Sequence, residues 1–373
     1  MRLALIALLM AAASLAAPGA PAVAAAAPLP EAERRAAVLA FLQARMARDQ
    51  IPGLQIAVVQ DGRILLNEAL GMANLEQGIK VTPETRFSIN SATKSITGVA
   101  AMQLVEAGTL DLDAPIGRYL TDLPAAWAAI PVRHLLSHQS GLPDIVDDDG
   151  VIGGSEAEAW AAVKARPVEA ADGARFAYNQ TNYALLGRII SQQAGMGFAD
   201  VFQQRQFAPA GMRRTLFGDS DDIIPGRAPS YSFYRHIRGI GGKPGADVKG
   251  SVLGHWRDEF PPFMRAGAGI VTTATDLANW LVALEQGRLM KPETRTRMWQ
   301  RDKLNDGKPG EWAMGWPVLE SRGRRIVAGI GGARSAFFIY PDHGLSIVVL
   351  PNLAAANPQR FIDDVATIYL GSP

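Results

Sequence analysis

The sequence contains no cysteine and only five histidines in 373 residues. Without cysteine there is neither a disulfide framework nor a thiol for lipid attachment. His134 and His138 stand four residues apart, but Leu135 occupies the position where a zinc protease of this spacing has its glutamate. We therefore predict that no metal is bound there and that both histidines are structural.

An excess of charge of either sign is also lacking. Lys and Arg number 37, against 36 Asp and Glu. The most basic stretch, Arg235 to Lys249, is interrupted by glycines and is predicted to be a loop. The near-zero balance and the dispersed cations argue against nucleic acid or an anionic membrane surface as the main partner.

An apolar run long enough to span a membrane is missing as well. The run that starts at Leu3 is broken by Pro18, which disfavours the alternative of a transmembrane anchor. Residues 1–24 have the form of a secretory signal, with Arg2 before the apolar run and small residues at its end. We therefore expect a periplasmic or secreted protein with no stable membrane insertion after cleavage.

Strand patterns lie at the two ends of the chain. Near the start, Ile56–Val59 and Ile64–Leu66 flank Asp61-Gly62, the dipeptide favoured by a two-residue primed turn. Near the end, three short apolar runs follow one another between residues 324 and 352. We predict an α+β fold in which one antiparallel sheet is formed from both ends of the chain and flanked by helices.

Helical patterns occupy the middle. A helix is predicted over residues 92–107, ending at Gly108, and another over residues 277–287, preceded by a capping box that starts at Thr273. A further amphipathic helix is predicted over residues 31–48.

The predicted strands and helices divide the chain into two regions, and we expect the site to lie between them. Residues 25–88 and 310–373 are expected to form the sheet region, and residues 89–309 a mainly helical region of helices and loops. Within it, residues 230–262 are predicted to be a loop that shapes a pocket. The aromatic residues expected to line it are Tyr231, Phe233 and Trp256.

Ser91 and Lys94 stand three apart in "FSINSATKSITG", at the predicted start of a helix. A serine hydroxyl needs a base within hydrogen-bond reach to act as a nucleophile. At this spacing the lysine lies one turn on, on the serine's side of the helix, and the helix N-terminus stabilises negative charge. The alternative is an ordinary N-cap followed by a solvated lysine, because Ser-x-x-Lys alone arises readily by chance.

"FSINSATKSITG" resembles the nucleophile segment of the serine β-lactamase and penicillin-binding protein superfamily, in particular its class C-like branch. That branch includes D-Ala-D-Ala carboxypeptidases and family VIII carboxylesterases. Further segments resemble the family in the same order: "VRHLLSHQSGLPD" at 132–144, "FAYNQTNYALLG" at 176–187, "AGAGIVTTATDLANWL" at 266–281, and the late strands. The resemblance implies a β-lactamase-like fold over nearly the whole chain after the signal.

The resemblance also implies roles for Tyr178 and Gln180. The family's Tyr-x-Asn tyrosine lies beside the nucleophile and the lysine, moves a proton during acylation and activates the deacylating water. Without the resemblance, Tyr178 reads as a core aromatic residue. Gln180 stands where the family has asparagine and offers a substrate amide the same groups on a longer arm. Asn179 is shifted by one place and is expected to point elsewhere.

The third family motif, His-Thr-Gly or Lys-Thr-Gly, aligns with Gly329-Ile330-Gly331, so its cation is missing. By resemblance, Gly331 borders the substrate, and the N–H of Gly332 joins that of Ser91 as the oxyanion hole. Arg334 either supplies positive charge to a substrate or forms a surface salt bridge.

These residues leave three functions open. The first is an exported serine hydrolase without a cofactor, which forms an acyl-enzyme on Ser91 and cleaves an ester or amide in a small molecule or peptide. The second is a β-lactamase or a catalytically weak penicillin-binding or sensing protein, suggested by Gly329 and Gln180. The third is a purely structural secreted domain. The missing cation favours an esterase or atypical peptidase over an efficient β-lactamase, and the oligomeric state is left open.

Overall fold

The positions of the strands follow the short apolar runs of the sequence. The computed structural model describes residues 29–237 and 245–371, and the predicted signal over residues 1–24 lies outside them. The strands, in chain order, are β1 (Gly53–Gln60), β2 (Arg63–Asn74), β3 (Ile79–Lys80), β4 (Phe87–Ser88), β5 (Val146–Asp147), β6 (Gly150–Val151), β7 (Leu216–Phe217), β8 (Ser230–Ile237), β9 (Ala246–Trp256), β10 (Ile270–Thr272), β11 (Val318–Ser321), β12 (Arg324–Gly331), β13 (Ser335–Tyr340) and β14 (Leu345–Pro351).

The helices lie mainly between the first and the last strands. They are α1 (Glu31–Asp49), α2 (Thr93–Glu106), α3 (Ala125–Ala128), α4 (Val132–Leu136), α5 (Glu156–Lys164), α6 (Gln180–Ala194), α7 (Phe198–Phe202), α8 (Ala208–Ala210), α9 (Arg265–Ala268), α10 (Ala274–Glu285), α11 (Pro292–Met298) and α12 (Ile362–Leu370). Within the described residues, no helix has both the length and the apolar content needed to cross a bilayer.

The central sheet joins the two ends of the chain. Its strand order is β11-β12-β13-β14-β1-β2-β3, and each strand is antiparallel to its neighbours. The register of β1 on β14 runs from Leu54 opposite Pro351 to Gln60 opposite Leu345. This confirms the predicted α+β fold with an antiparallel sheet formed from both chain ends.

Both faces of the central strand β1 are buried. Ala57 and Val59 join a core cluster with α2 and α10, whereas Ile56 and Val58 join a second cluster with α1 and α12. Successive side chains of a strand point to opposite faces, so the run Ile56–Val59 serves both cores. Burying each aliphatic side chain contributes about 1.5–3 kcal/mol to the stability of the fold. Strand β1 therefore stabilises both core clusters.

Helix α2 is buried nearly all round rather than along one stripe. Ile96, Val99, Ala100 and Leu104 are buried as predicted, and Lys94 is also fully buried, at 0% exposure. The alternative of a solvated lysine is therefore wrong. Ser91 does not cap this helix, because it lies in a 3₁₀ turn (Asn90–Ala92) and neither helical segment has a side-chain cap.

Within the segment predicted to be a loop, the described residues 230–237 and 246–256 form the two paired strands of a β-hairpin. β8 pairs antiparallel with β9, with Ser230 opposite Trp256 and Ile237 opposite Ala246. Of the basic stretch Arg235–Lys249, residues 235–237 and 246–249 lie on these strands. The glycines of this stretch suggested a loop. The segment "YSFYRHI", however, has the β-branched and aromatic content of a strand. Residues 89–309 were expected to consist mainly of helices and loops, but they also contain the strands β5 to β10.

Gly329 on β12 faces Phe337 on β13, its partner in the sheet register. A Cβ at Gly329 would lie 2.2 Å from Phe337 Cζ. Phe337 is fully buried and packs edge-on against Trp280 and Trp316. Its ring therefore occupies the space that a side chain at residue 329 would need.

Gly329→Ala is expected to lower the free energy of unfolding by about 1–3 kcal/mol, because the added methyl group must displace the Phe337 ring from a packed core. Urea unfolding measures this change. The control is Gly250→Ala in the exposed strand β9, where a Cβ would meet its nearest atom at 3.5 Å. Equal losses in the two variants would contradict this packing explanation.

Candidate active site

Ser91, Lys94 and Tyr178 are brought together, although Tyr178 lies far from the other two in sequence. The Tyr178 hydroxyl donates to Ser91 Oγ at 2.8 Å, and Lys94 Nζ donates to the same oxygen at 3.4 Å. Ser91 is partly exposed, and the Tyr178 side chain is 41% exposed. The reading of Tyr178 as a core aromatic residue is therefore wrong. The arrangement offers one hydroxyl oxygen two partners that can exchange protons with it.

The buried amine of Lys94 is satisfied by groups from distant segments. It donates to Gln180 Oε1 and to the Gly267 carbonyl oxygen, each at 2.9 Å. The rings of Tyr178 and Tyr183 lie on either side, with centroids 4.8 and 5.1 Å from Nζ. These contacts compensate the cost of removing an amine from water.

Two of these partners, Gly267 and Tyr183, were not singled out from the sequence. A Cβ at Gly267 would lie 3.3 Å from Lys94 Nζ and 3.2 Å from Gln180 Oε1, so glycine allows the close approach. Burial raises the pKa of Tyr183 well above its ordinary value, and its hydroxyl donates to the Leu136 carbonyl oxygen at 3.0 Å. The glycine-rich "AGAGIV" was the available signal for residue 267.

The start of α6 positions both Tyr178 and Gln180. Asn179 is the N-cap, and its Oδ1 accepts from the Asn182 N–H at 3.1 Å. Its side chain is thus engaged in the cap, pointing away from Lys94 as expected. Asp144 accepts from the Gln180 N–H at 3.0 Å, and burial raises the pKa of this carboxyl.

His138 supports the Tyr178 ring from behind. It is fully buried, and its ring centroid lies 4.5 Å from that of Tyr178 and 5.1 Å from that of Tyr183. Its Nδ1 accepts from the Asn179 N–H and faces the Asn182 side-chain amide, both at 3.2 Å. Burial, together with the charge of Lys94, holds the pKa of His138 well below its usual range, so the ring is neutral.

The other histidine of this segment is separate from the site. His134 Nδ1 lies 2.6 Å from a carboxylate oxygen of Asp172, on the outer side of the turn. Among residues 29–237 and 245–371, no three His, Asp or Glu side chains are grouped closely enough to hold a metal ion.

The turn between β12 and β13 lies beside the Ser91 segment. Gly332 and Ala333 have φ values of +53° and +61°, and the Arg334 N–H donates to the Gly331 carbonyl oxygen at 2.9 Å. This is the geometry of a two-residue primed turn, and it leaves the Gly332 N–H outside the turn's own hydrogen bond. A Cβ at Gly331 would lie 2.0 Å from the Ile89 carbonyl oxygen, so glycine lets the strand approach the segment that carries Ser91.

Arg334 forms an ion pair with Asp258, just after β9, and covers the Trp256 ring at 4.9 Å. The pair is not on the surface, since the two side chains are 16% and 3% exposed. Burial lowers the pKa of Arg334 to about 10, which leaves the guanidinium charged at neutral pH. Of the two alternatives for Arg334, the salt bridge is therefore correct about the pairing and wrong about its exposure.

An open cleft of about 740 Å³ connects these elements. Its lining includes Ser91, Gln180, Gly332 and Arg334. The hairpin β8–β9 and the segment Val146–Val151 contribute further lining residues. Trp256 lines the cleft as predicted.

Tyr231 and Phe233 do not line this cleft but pack with the second core cluster. The acidic partner of Arg334, Asp258, was not foreseen. Nothing in the local sequence distinguishes it from the neighbouring charges Arg257 and Glu259.

Comparison with known proteins gives consistent matches. The family model described as Beta-lactamase matches residues 38–370. Protein flp of Staphylococcus aureus (strain MW2) is 24% identical over 86% of this chain, and the chain spans 64% of that protein's length. Teichoic acid D-alanine hydrolase of Staphylococcus aureus (strain MRSA252) is 25% identical, covering 82% of this chain and 71% of that protein.

A solved structure shares the fold over nearly its full length. The D-amino acid amidase of Ochrobactrum anthropi SV3, complexed with L-phenylalanine amide, superposes with a TM-score of 0.73 and 25% identity. The match covers 90% of this chain and 98% of the amidase.

The neutral state of His138 predicts how stability depends on pH. In the unfolded chain a histidine titrates near about 6.5, whereas the folded protein holds the pKa of His138 well below that value. As pH falls below about 6.5, the unfolded state binds a proton that the folded state does not. Stability then falls by about 1.4 kcal/mol per pH unit until the folded pKa is reached.

Urea unfolding at a series of pH values, from neutral to mildly acidic, measures this slope for the wild type and for His138→Phe. The variant keeps an aromatic ring and loses the titration, so we expect a shallower slope. His236→Asn is the control of opposite sign, because Asp247 and Asp149 raise the pKa of His236 and its removal should steepen the loss. A slope unaffected by His138→Phe would show that His138 is not held neutral.

Proposed function

The chain belongs to the beta-lactamase family, and from that premise we propose that it is a serine hydrolase that cleaves an ester or amide through an acyl-enzyme on Ser91. The proposal is carried by one observation, the convergence of the Tyr178 hydroxyl and Lys94 Nζ on Ser91 Oγ, at 2.8 and 3.4 Å. A serine hydroxyl becomes an effective nucleophile when a base lies this close.

In the proposed acylation, Ser91 Oγ forms a bond to the substrate's carbonyl carbon as its proton passes to the Tyr178–Lys94 pair. Hydroxyl groups rotate freely enough for Ser91 to become the donor in its contact with Tyr178. When the tetrahedral intermediate collapses, the bond from carbon to the leaving oxygen or nitrogen breaks. The leaving atom takes up the proton from the same pair.

Deacylation reverses the roles of the same groups. A water oxygen forms a bond to the acyl carbon as its proton passes to Tyr178, and the bond from that carbon to Ser91 Oγ breaks. Ser91 Oγ regains the proton, and the acid is released. The solvent exposure of the Tyr178 side chain supports this step, because water must reach the phenol oxygen.

We assign the oxyanion to the backbone N–H groups of Ser91 and Gly332. Ser91 lies in the 3₁₀ turn that leads into α2, where the positive end of the helix dipole favours negative charge. Gly332 lies on the β12–β13 turn at the edge of the same cleft. Donors fixed before the reaction stabilise the developing charge without reorganising, typically by about 2.7–4 kcal/mol each.

The substrate we propose is an ester or amide that does not depend on a carboxylate for recognition. Phe337 fills the space at Gly329, where the family carries its cation, so that anchor is missing. Gln180 and Gly331 would contact the substrate amide and backbone. Two relatives, a teichoic acid D-alanine hydrolase and a D-amino acid amidase, support acyl groups of the D-amino-acid type.

A second candidate is a β-lactamase or a penicillin-binding or sensing protein with slow turnover. The loss of the cation at Gly329 favours slow turnover, because that cation takes part in the family's proton network. We further propose that the chain is exported to a periplasm or outside the cell, on the basis of residues 1–24.

A fluorophosphonate is expected to add covalently to Ser91, and short p-nitrophenyl esters to be hydrolysed. Mass spectrometry of the intact and digested protein locates the adduct. Ser91→Ala should lose both properties. Ser95→Ala is the matched control, because Ser95 lies on α2 but donates to the Gly315 carbonyl oxygen at 3.2 Å.

The absence of any adduct, from fluorophosphonate or from labelled penicillin, together with intact p-nitrophenyl esters would exclude the hydrolase. A penicillin adduct that persists without decay would favour the sensing protein instead.

Lys94→Ala and Tyr178→Phe are each expected to lower kcat/KM for a p-nitrophenyl ester by on the order of 10²–10⁴-fold, as for loss of a general base. Tyr183→Phe is the matched control. Its ring also flanks Lys94, but its hydroxyl bonds to the Leu136 carbonyl oxygen, so we expect about 1 kcal/mol lower stability and a nearly unchanged rate. Similar rate losses in the two tyrosine variants would mean that removing either hydroxyl disturbs the site, and would contradict a specific proton-transfer role for Tyr178.

A further inference from the structure

Arg334, which lies on the same turn as the proposed oxyanion donor Gly332, is paired with the carboxylate of Asp258. Arg334 closes the β12–β13 turn, two residues after Gly332, and lines the same cleft as Ser91. Its ion pair with Asp258 is largely buried. A carboxylate on a substrate would therefore meet an arginine whose charge is already compensated.

Asp258 is itself fixed from two other directions. One carboxylate oxygen accepts from Asn90 Nδ2 at 3.1 Å, and the other accepts from Ser230 Oγ at 3.1 Å. Asn90 directly precedes Ser91, and Ser230 begins β8. Asp258 thus contacts the turn Asn90–Ala92, the start of the hairpin β8–β9 and Arg334. Because these contacts hold it in place, it is not free to move aside for a ligand.

The faces of the guanidinium are also restricted. The Trp256 ring covers it at 4.9 Å, and the carboxylate of Asp247 lies near enough to favour its charged form. The charges lining the cleft do not add a surplus of positive charge. The acids are Asp147, Asp148, Asp149, Asp247, Asp258 and Glu259, against the arginines Arg235, Arg257 and Arg334 and two histidines.

We propose that Asp258 is a specificity-determining residue, which neutralises Arg334 and makes the cleft discriminate against substrates that carry a carboxylate next to the scissile bond. The inference rests on the proposed hydrolase function and deepens it. A substrate carboxylate can pair with Arg334 only by displacing Asp258 from a poorly solvated ion pair, which is unfavourable. Esters and amides with neutral or cationic leaving groups do not meet this obstacle.

The test uses two thioesters of N-benzoylglycine that differ in one group. The leaving thiol is thioglycolate in one and thioglycolamide in the other, so only the carboxylate changes to a carboxamide. The readout is the ratio of the two kcat/KM values, carboxylate over carboxamide. A ratio is insensitive to the fraction of folded protein, so a partly unstable variant still gives an answer.

Asp258→Asn is the informative variant. An asparagine can accept from Asn90 through Oδ1 and donate to Ser230 Oγ through Nδ2, which keeps the network and removes the charge. We expect the ratio to rise by about tenfold to a hundredfold, the range for a newly available charged hydrogen bond. In the double variant Asp258→Asn/Arg334→Gln the gain should disappear, because the released cation is gone.

Asp221→Asn is the matched control. Asp221 pairs with Arg257, which also lines the cleft, but the Arg257 side chain is 65% exposed. An exposed cation is screened, so we expect the ratio to change by less than about twofold. An equal rise in Asp221→Asn would show that net charge alone sets the preference and would overturn the role of Asp258.

Two further results would overturn the inference. The first is an unchanged ratio in Asp258→Asn while the wild type cleaves the carboxamide thioester, which leaves the hydrolase itself intact. The second is a gain that persists in the double variant, which would assign the discrimination to repulsion by Asp258 without Arg334. A wild type that hydrolyses p-nitrophenyl esters but cleaves neither thioester would also overturn the inference and leave the hydrolase standing. Only if p-nitrophenyl esters are intact and no Ser91 adduct forms does the proposed hydrolase fall, and this inference with it.

Discussion

An amine with no access to solvent lies at the centre of this molecule, and the site is arranged around satisfying it. Lys94 needs acceptors in place of water, and it finds them in Ser91 Oγ, Gln180 Oε1 and the Gly267 carbonyl oxygen. These groups come from the turn Asn90–Ala92, the start of α6 and the end of α9. Leaving the amine unpaired would cost several kcal/mol, so the requirement draws three segments to one point.

The same requirement explains features that look unrelated in the sequence. Gly267 is a glycine because a side chain there would crowd the amine. Tyr178 and Tyr183 place their rings beside it, and the neutral ring of His138 packs against both. A charged imidazole in that position would repel Lys94, so the depressed pKa of His138 and the buried lysine are two aspects of one electrostatic arrangement.

The turn Asn90–Ala92, which carries Ser91, is also held by a second set of contacts, separate from those of Lys94. Asn90 binds Asp258, which binds Arg334 on the β12–β13 turn. Ser91 thus lies between a lysine network on the helical side and an ion pair on the sheet side.

Much of the fold could be predicted from local pattern. Asp61-Gly62 predicted the hairpin of β1 and β2, and the apolar runs near the end predicted β12 to β14. The β8–β9 hairpin was missed, since its glycines suggested a loop and its strands bury little surface. Ser91 was predicted to lie at the start of α2, with an N-cap as the alternative, but the structure places it in a preceding 3₁₀ turn. Such errors of one turn are expected where helix ends depend on tertiary contacts.

The sequence by itself determined the residue types, their spacing and the strand and helix periods. Together with the resemblance to a known family, these were sufficient to propose Ser91, Lys94 and Tyr178 as a group, whereas the spacing alone pointed only to Ser91 and Lys94. Only the tertiary structure decided that Lys94 is buried, that Phe337 fills the space at Gly329, and that Asp258 holds Arg334. Each depends on residues far apart in the chain, and no local pattern encodes which distant side chain fills a cavity or compensates a charge.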